Sequence, residues 1–119
     1  MIVGGGDGGV AREVIKHPAV KTVDQAEIDG RVIEVCKEFL PTMAVGYKDP
    51  RVNVFVEDGI KFMERNKNKY DVIITDSSDP IGKSLVLEDI FARTVQKRFL
   101  CRVMFQDPLI AYSKRNISN

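Results

Sequence analysis

The stretch Met1-Ile-Val-Gly-Gly-Gly-Asp-Gly-Gly9 decides how the rest of the chain is read. A short apolar run enters a glycine loop, and a helical pattern follows at once. Gly4, Gly6 and Gly9 fit G-x-G-x-x-G. That spacing suits a tight strand-to-helix turn in which backbone approaches a ligand and N–H groups point outward. Alone the motif is a weak sign of a nucleotide site, because glycine-rich turns are common. Context strengthens it. Glu27 closes the next predicted strand, where the ribose of a nucleotide would lie. Asp7 puts a carboxylate into a turn whose amides normally welcome an anion. It either caps the following helix or answers a ligand that carries positive charge at this point.

Working outward, Val10 to Lys16 reads as a helix stopped at His17-Pro18, with His17 as a partner for the helix C-terminal dipole. Val20 to Ile28 reads as a second strand. Gly30 opens a helix over Arg31 to Leu40, with Val32, Ile33, Cys36, Phe39 and Leu40 expected on its buried side and Pro41 as the stop. Thr42 to Asp49 reads as a loop, Val52 to Val56 as a third strand, and Ile60 to Arg65 as a helix after Glu57-Asp58-Gly59. Asn66 to Lys69 is a polar, solvated turn. Tyr70 to Thr75 is a fourth strand, apolar in Val72, Ile73 and Ile74 and so expected to be buried on both faces. A helix over Leu85 to Arg98 and an ambiguous strand over Phe99 to Phe105 follow. Residues 1–105 are expected to form one domain, and 106–119 a disordered tail.

Four alternations of strand and helix predict an α/β fold: a parallel sheet with right-handed crossovers and helices on both faces. Ligands bind such sheets outside the C-terminal strand ends. Acids gather there: Asp7, Glu27, Asp58, Asp76 and Asp79. One acid at a strand end means little, since Asp forms turns and caps helices. Five at four consecutive ends repel one another unless something neutralises them. A metal could do so, though the strand ends lack His and Cys and the carboxylates fall on separate loops; a polycationic organic ligand could also do it.

Composition narrows the classes further. The 119 residues suit one small domain, and 44% hydrophobic content is enough for a core. A net charge of +1 argues against a nucleic-acid binder held by a basic surface. No apolar run reaches membrane-spanning length, and Gly4 to Gly9 interrupt any signal-peptide core. Cys36 and Cys101 lie far apart without metal spacing, which points to reduced thiols and a cytoplasmic setting.

The segments GGGDGGVAREVIKHP, EID at Glu27 to Asp29, LPTMAVGYKDPRVNVFVEDG and YDVIITDSSDPIG together resemble the spermidine synthases, the aminopropyltransferases of polyamine synthesis. The resemblance covers about Met1 to Gly82. It implies a Rossmann-like, class I methyltransferase-type sheet, here incomplete, and a homodimer. It also implies transfer of an aminopropyl group from decarboxylated S-adenosylmethionine, a co-substrate, to putrescine, with no metal or redox cofactor. By motif, Asp7 resembles the acid that holds the amine of the aminopropyl chain. Glu27 resembles the acid that bonds the ribose hydroxyls. Asp58 and Gly59 resemble the pair that reads adenine. Asp76 resembles the catalytic base, and Asp79 the anchor of the diamine.

The chain also departs from the family pattern. It begins inside the first strand, without the family's N-terminal β-domain. The loop after Gly82 is two residues short, and no family pattern is legible beyond about Lys97. Tyr112 matches no motif position. These departures raise the alternative of a non-catalytic truncated fragment. A dinucleotide-dependent dehydrogenase is weaker, because Asp7 would repel a pyrophosphate and Asp58, Asp76 and Asp79 would have no role.

Overall fold

A computed structural model of the chain describes residues 1–76, 99–104 and 107–112, with side chains in the first of these segments. The elements run β1 (Ile2–Gly4), α1 (Gly9–Val14), β2 (Val23–Glu27), α2 (Gly30–Phe39), a 3-10 turn at Ala44–Lys48, β3 (Val52–Val56), α3 (Gly59–Arg65), β4 (Val72–Asp76), β5 (Phe99–Met104) and β6 (Asp107–Tyr112). The sheet order is β3-β2-β1-β4-β5-β6. Its first five strands pair in parallel, as the alternation of strand and helix predicts. The order reverses between β1 and β4, which makes the crevice between them the switch point where ligands of such sheets bind.

Among the described residues, β1, β2 and β4 pack against helices on both faces of the sheet. On one, Ile2 and Val23 bury against Ala11 of α1, with Val10, Val14 and Ile15 packed alongside. On the other, Met1, Ala26 and Ile73 bury against Phe62 and Met63 of α3. The residue alternation of β1 produces this split, because successive side chains in a strand point to opposite faces.

Local chemistry starts and stops the helices. The Asp29 carboxylate accepts from the amide of Arg31 at 2.9 Å and caps α2. Asp58 accepts from the amides of Ile60 at 2.8 Å and Lys61 at 3.4 Å and caps α3. Each satisfies donors that the first helical turn leaves open.

Several expectations are corrected. The second strand begins at Val23, not Val20, and the loop before β3 contains the 3-10 turn at Ala44–Lys48. Only Ile33 and Cys36 of α2 are buried, whereas Phe39 is 69% and Leu40 47% exposed, because the helix presents a narrow inward face. Val72 is also exposed: it sits at the rim where β4 enters the sheet, and only Ile73 of the three apolar residues is fully covered. His17 accepts from the amide of Ala19 at 3.2 Å and so bonds the turn after the helix instead of the helix end. The tail expected from 106 onward is in part a strand. Asp107–Tyr112 forms β6, antiparallel to β5. The run Leu109-Ile-Ala-Tyr112 carries strand propensity, and Pro108 near its start is tolerated because β6 is an edge. The predicted helix over 85–98 and the residues 113–119 lie outside the described residues.

Candidate active site

The β1–α1 turn crosses the switch point. Gly4 pairs with Asp76 in register, and the amide of Gly5 donates to the Asp76 carbonyl at 2.8 Å. Gly4 and Gly5 have φ of 79° and 68°, a left-handed conformation that glycine adopts without steric cost. The chain therefore turns sharply at the end of β1 and passes directly over the end of β4.

Three carboxylates wall this turn. A methyl group on Gly5 would lie 3.3 Å from Asp76 Oδ2. On Gly6 it would lie 3.1 Å from Glu27 Oε2, and on Gly9 3.3 Å from Asp7 Oδ1. The absence of side chains at these positions is what lets acids from three strand ends close on one loop. Among the described residues, none of Asp7, Glu27 and Asp76 forms an ion pair or accepts a hydrogen bond from a Lys or Arg side chain.

The three differ in how they are held. Asp7 Oδ1 accepts from the amide of Gly9 at 2.8 Å, and Glu27 Oε1 from the amide of Asp29 at 3.0 Å. Each thus uses one oxygen to bond its own loop two residues on, which orients the side chain. Asp76 has no such bond among the described residues. Burial, and then the negative charges of Asp7 and Glu27, push its carboxyl above the ordinary aspartate value. Desolvation and like charge both disfavour the ionised form, so Asp76 holds a proton more readily than a surface aspartate.

Asp7, Glu27 and Asp76 meet around Gly4, Gly6 and Gly9. Asp58 follows β3 and uses Oδ1 to cap α3. Gly59 beside it abuts Val3 on the other face of the sheet, where a methyl group would come within 2.5 Å of Val3 Cγ1. Asp79 lies outside the described residues. Among the described residues, no three His, Cys, Asp or Glu side chains converge closely enough to hold a metal ion.

Sequence reading missed two residues. Gln25, wholly buried in β2, donates to the carbonyls of Gly4 at 2.8 Å and Gly5 at 2.7 Å. Tyr47, from the 3-10 turn, donates to the carbonyl of Gly6 at 3.0 Å. The available signal was an uncharged polar residue in the middle of a strand that has to be buried.

The family model of the spermine/spermidine synthase domain matches residues 1–112. The chain belongs to the spermine/spermidine synthase family. It is 58% identical over 82 residues to the spermidine synthase of Dictyostelium discoideum, covering 69% of this chain and 29% of that protein. To the polyamine aminopropyltransferase of Bacillus subtilis it is 51% identical over 87 residues, covering 73% and 32%. Two solved spermidine synthases share its fold. That of Thermotoga maritima superposes with a TM-score of 0.78 at 34% identity, over 85% of this chain and 36% of that one. A spermidine synthase in complex with the transition state analogue AdoDATO gives 0.77 at 32% identity, over 85% and 35%. The chain thus spans about a third of the length of these spermidine synthase family members.

Among the described residues, no helix is long and apolar enough to cross a membrane.

Proposed function

We propose that this chain carries the nucleotide side of an aminopropyltransferase site. The reaction moves the aminopropyl group of decarboxylated S-adenosylmethionine to putrescine and yields spermidine and methylthioadenosine. The observation that carries this reading is the convergence of Asp7, Glu27 and Asp76 on one glycine loop, with no basic side chain bonded to them among the described residues. A cluster of like charges suits a cationic ligand. Decarboxylation removes the anion of S-adenosylmethionine and leaves an ammonium, which Asp7 receives in this scheme. Glu27 takes the ribose hydroxyls with Oε2, and Asp58 the adenine amino group with Oδ2.

The acceptor amine has a reference pKa of roughly 10.4 and arrives protonated; freeing it at neutral pH costs about 4–5 kcal/mol. Asp76, raised by burial and its acidic neighbours, is the base that takes this proton. The amine lone pair then attacks the carbon beside the sulfonium. The C–S electron pair leaves on sulfur as a neutral thioether, so no oxyanion hole is needed. Holding donor and acceptor in line supplies most of the rate gain. In this scheme Asp79 anchors the diamine, two copies of the chain pair as in the family, and no metal or redox cofactor takes part. Buried, reduced Cys36 suits a cytoplasmic setting.

Scanning calorimetry of the chain with nucleotides tests the proposal, because a ligand that binds only the folded state raises the transition temperature. Decarboxylated S-adenosylmethionine and methylthioadenosine are expected to raise it, and the carboxylated parent much less. Equal shifts from the two forms of S-adenosylmethionine would refute the role of Asp7. A larger shift from NAD than from methylthioadenosine would replace the whole reading with a dinucleotide site.

A further inference from the structure

Gln25 places an amide in the interior of β2, with none of its surface exposed. Its Nε2 lies within hydrogen-bonding distance of three acceptors: the Gly4 carbonyl at 2.8 Å, the Gly5 carbonyl at 2.7 Å and the Tyr47 hydroxyl oxygen at 3.1 Å. The acceptors dictate which way the amide points. Turned over, it would set its oxygen against two carbonyl oxygens. In the orientation found, Oε1 is buried without a hydrogen-bond partner among the described residues. Burying an unpaired acceptor is unfavourable. Donation to the loop outweighs it.

Tyr47 completes the arrangement from a different element. Its hydroxyl donates to the Gly6 carbonyl at 3.0 Å, with the Gly5 carbonyl at 3.4 Å. Its ring closes over the loop, so that a methyl group on Gly8 would stand 2.8 Å from Cε2. Burial pushes the hydroxyl up to about 12, a shift the bond from Gln25 opposes and the charges of Asp7 and Glu27 reinforce. It therefore stays protonated and donating throughout the neutral range. Three consecutive carbonyls, Gly4 to Gly6, thus have side-chain donors, and Asp7 is the next residue. A run of glycines is otherwise the loosest backbone a chain can present.

We infer that Gln25 and Tyr47 are positioning residues that pin the Gly4–Gly6 carbonyls and so hold Asp7 where the cationic end of the nucleotide binds. This rests on the aminopropyltransferase reading above. The clamp should matter to a ligand that reaches Asp7 and little to one that does not. Methylthioadenosine lacks the aminopropyl group, so the ratio of the two affinities reports the position of Asp7 separately from overall folding.

The test is isothermal titration of the native chain, Tyr47→Phe and Gln25→Glu with decarboxylated S-adenosylmethionine and with methylthioadenosine, with a thermal melt of each. Tyr47→Phe keeps the ring and removes the hydroxyl. Gln25→Glu keeps the shape and sets a carboxylate against two carbonyls. Tyr47→Phe is expected to reduce the preference for the cationic nucleotide by about 2- to 13-fold, the range for one hydrogen bond, with methylthioadenosine affinity held. Gln25→Glu should reduce it further. If Gln25→Glu does not fold, Tyr47→Phe decides alone. An unchanged ratio in Tyr47→Phe, or equal weakening of both ligands, would overturn the clamp while leaving the aminopropyltransferase reading in place. A native chain that binds neither nucleotide would overturn both.

Discussion

The two ends of the sheet each carry an acid withdrawn from solvent, buried Asp24 and half-buried Asp76, and they treat it in opposite ways. Near the start of β2, Asp24 is 3% exposed and fully engaged: Tyr70 donates to it at 2.6 Å, Asn53 at 2.9 Å and Lys69 at 3.0 Å. Burial works to raise its carboxyl, but these bonds outweigh burial and hold it below the ordinary value. At the other end Asp76 has no comparable donor among the described residues, and burial with Asp7 and Glu27 raises it. The first acid is arranged to be comfortable as an anion; the second is not. The contrast separates a carboxylate that joins β2, β3 and the turn before β4 from one without a side-chain partner among the described residues.

Breaking the rim acid should have the largest effect. Asp76→Asn removes the proton acceptor while keeping the shape. In a chain restored to the family's full length, turnover, followed as release of methylthioadenosine, is expected to fall by about 100- to 10,000-fold, the usual worth of a positioned base. Nucleotide affinity should be retained. Unchanged turnover would take Asp76 out of the base role and erase the contrast.

Breaking the opposite acid should act on stability instead. Asp24→Ala leaves the Tyr70 hydroxyl, the Asn53 amide and the Lys69 ammonium without their acceptor. A loss of about 2 kcal/mol is expected from unpaired and half-buried donors, read from denaturant midpoints. A loss no larger than that of an exposed pair such as Lys16 with Glu13 would mean that the Asp24 network is ornamental.

The smallest effect sharpens the comparison through pH. A raised carboxyl binds its proton more tightly when folded, so ionised Asp76 subtracts stability above its folded pKa, and acid relieves that penalty. Asp24 runs the other way. Its contribution is present above the unfolded value of 3.8 and is lost as pH falls through the lower folded value. Asp76→Asn should therefore be more stable than the native chain at neutral pH, with the gain fading in acid. Asp24→Asn should be less stable at neutral pH, with its deficit fading below 3.8. Unfolding curves across this range check both signs, and parallel curves for the two variants would defeat the distinction.

These two ends were unequally legible in the sequence. The rim acids follow strand ends and motif spacing, and those local signals suffice to place Asp7, Glu27 and Asp76. The Asp24 network could not be placed that way, because its partners come from Asn53, Lys69 and Tyr70, far along the chain, and Lys69 reads locally as part of a solvated turn. Gln25 and Tyr47 were hidden for the same reason: one is a polar interruption in a strand, the other a loop residue, and nothing local connects them. The apolar residues of α2 misled, since helical spacing says which residues share a face but not how wide a face the neighbour covers.

What the sequence alone determined is what local physics encodes. Glycines set the turn, β-branched runs and alternation set a parallel sheet, and acids follow at successive strand ends. Only the tertiary structure decided which of those acids meet, which are bonded by their own loops, and which is left with a raised pKa. The physical reason is that hydrogen bonding, desolvation and charge repulsion depend on distances through space. The crossovers bring the ends of β1, β2 and β4 to one loop, whereas neighbours in sequence set only the conformation of each strand end.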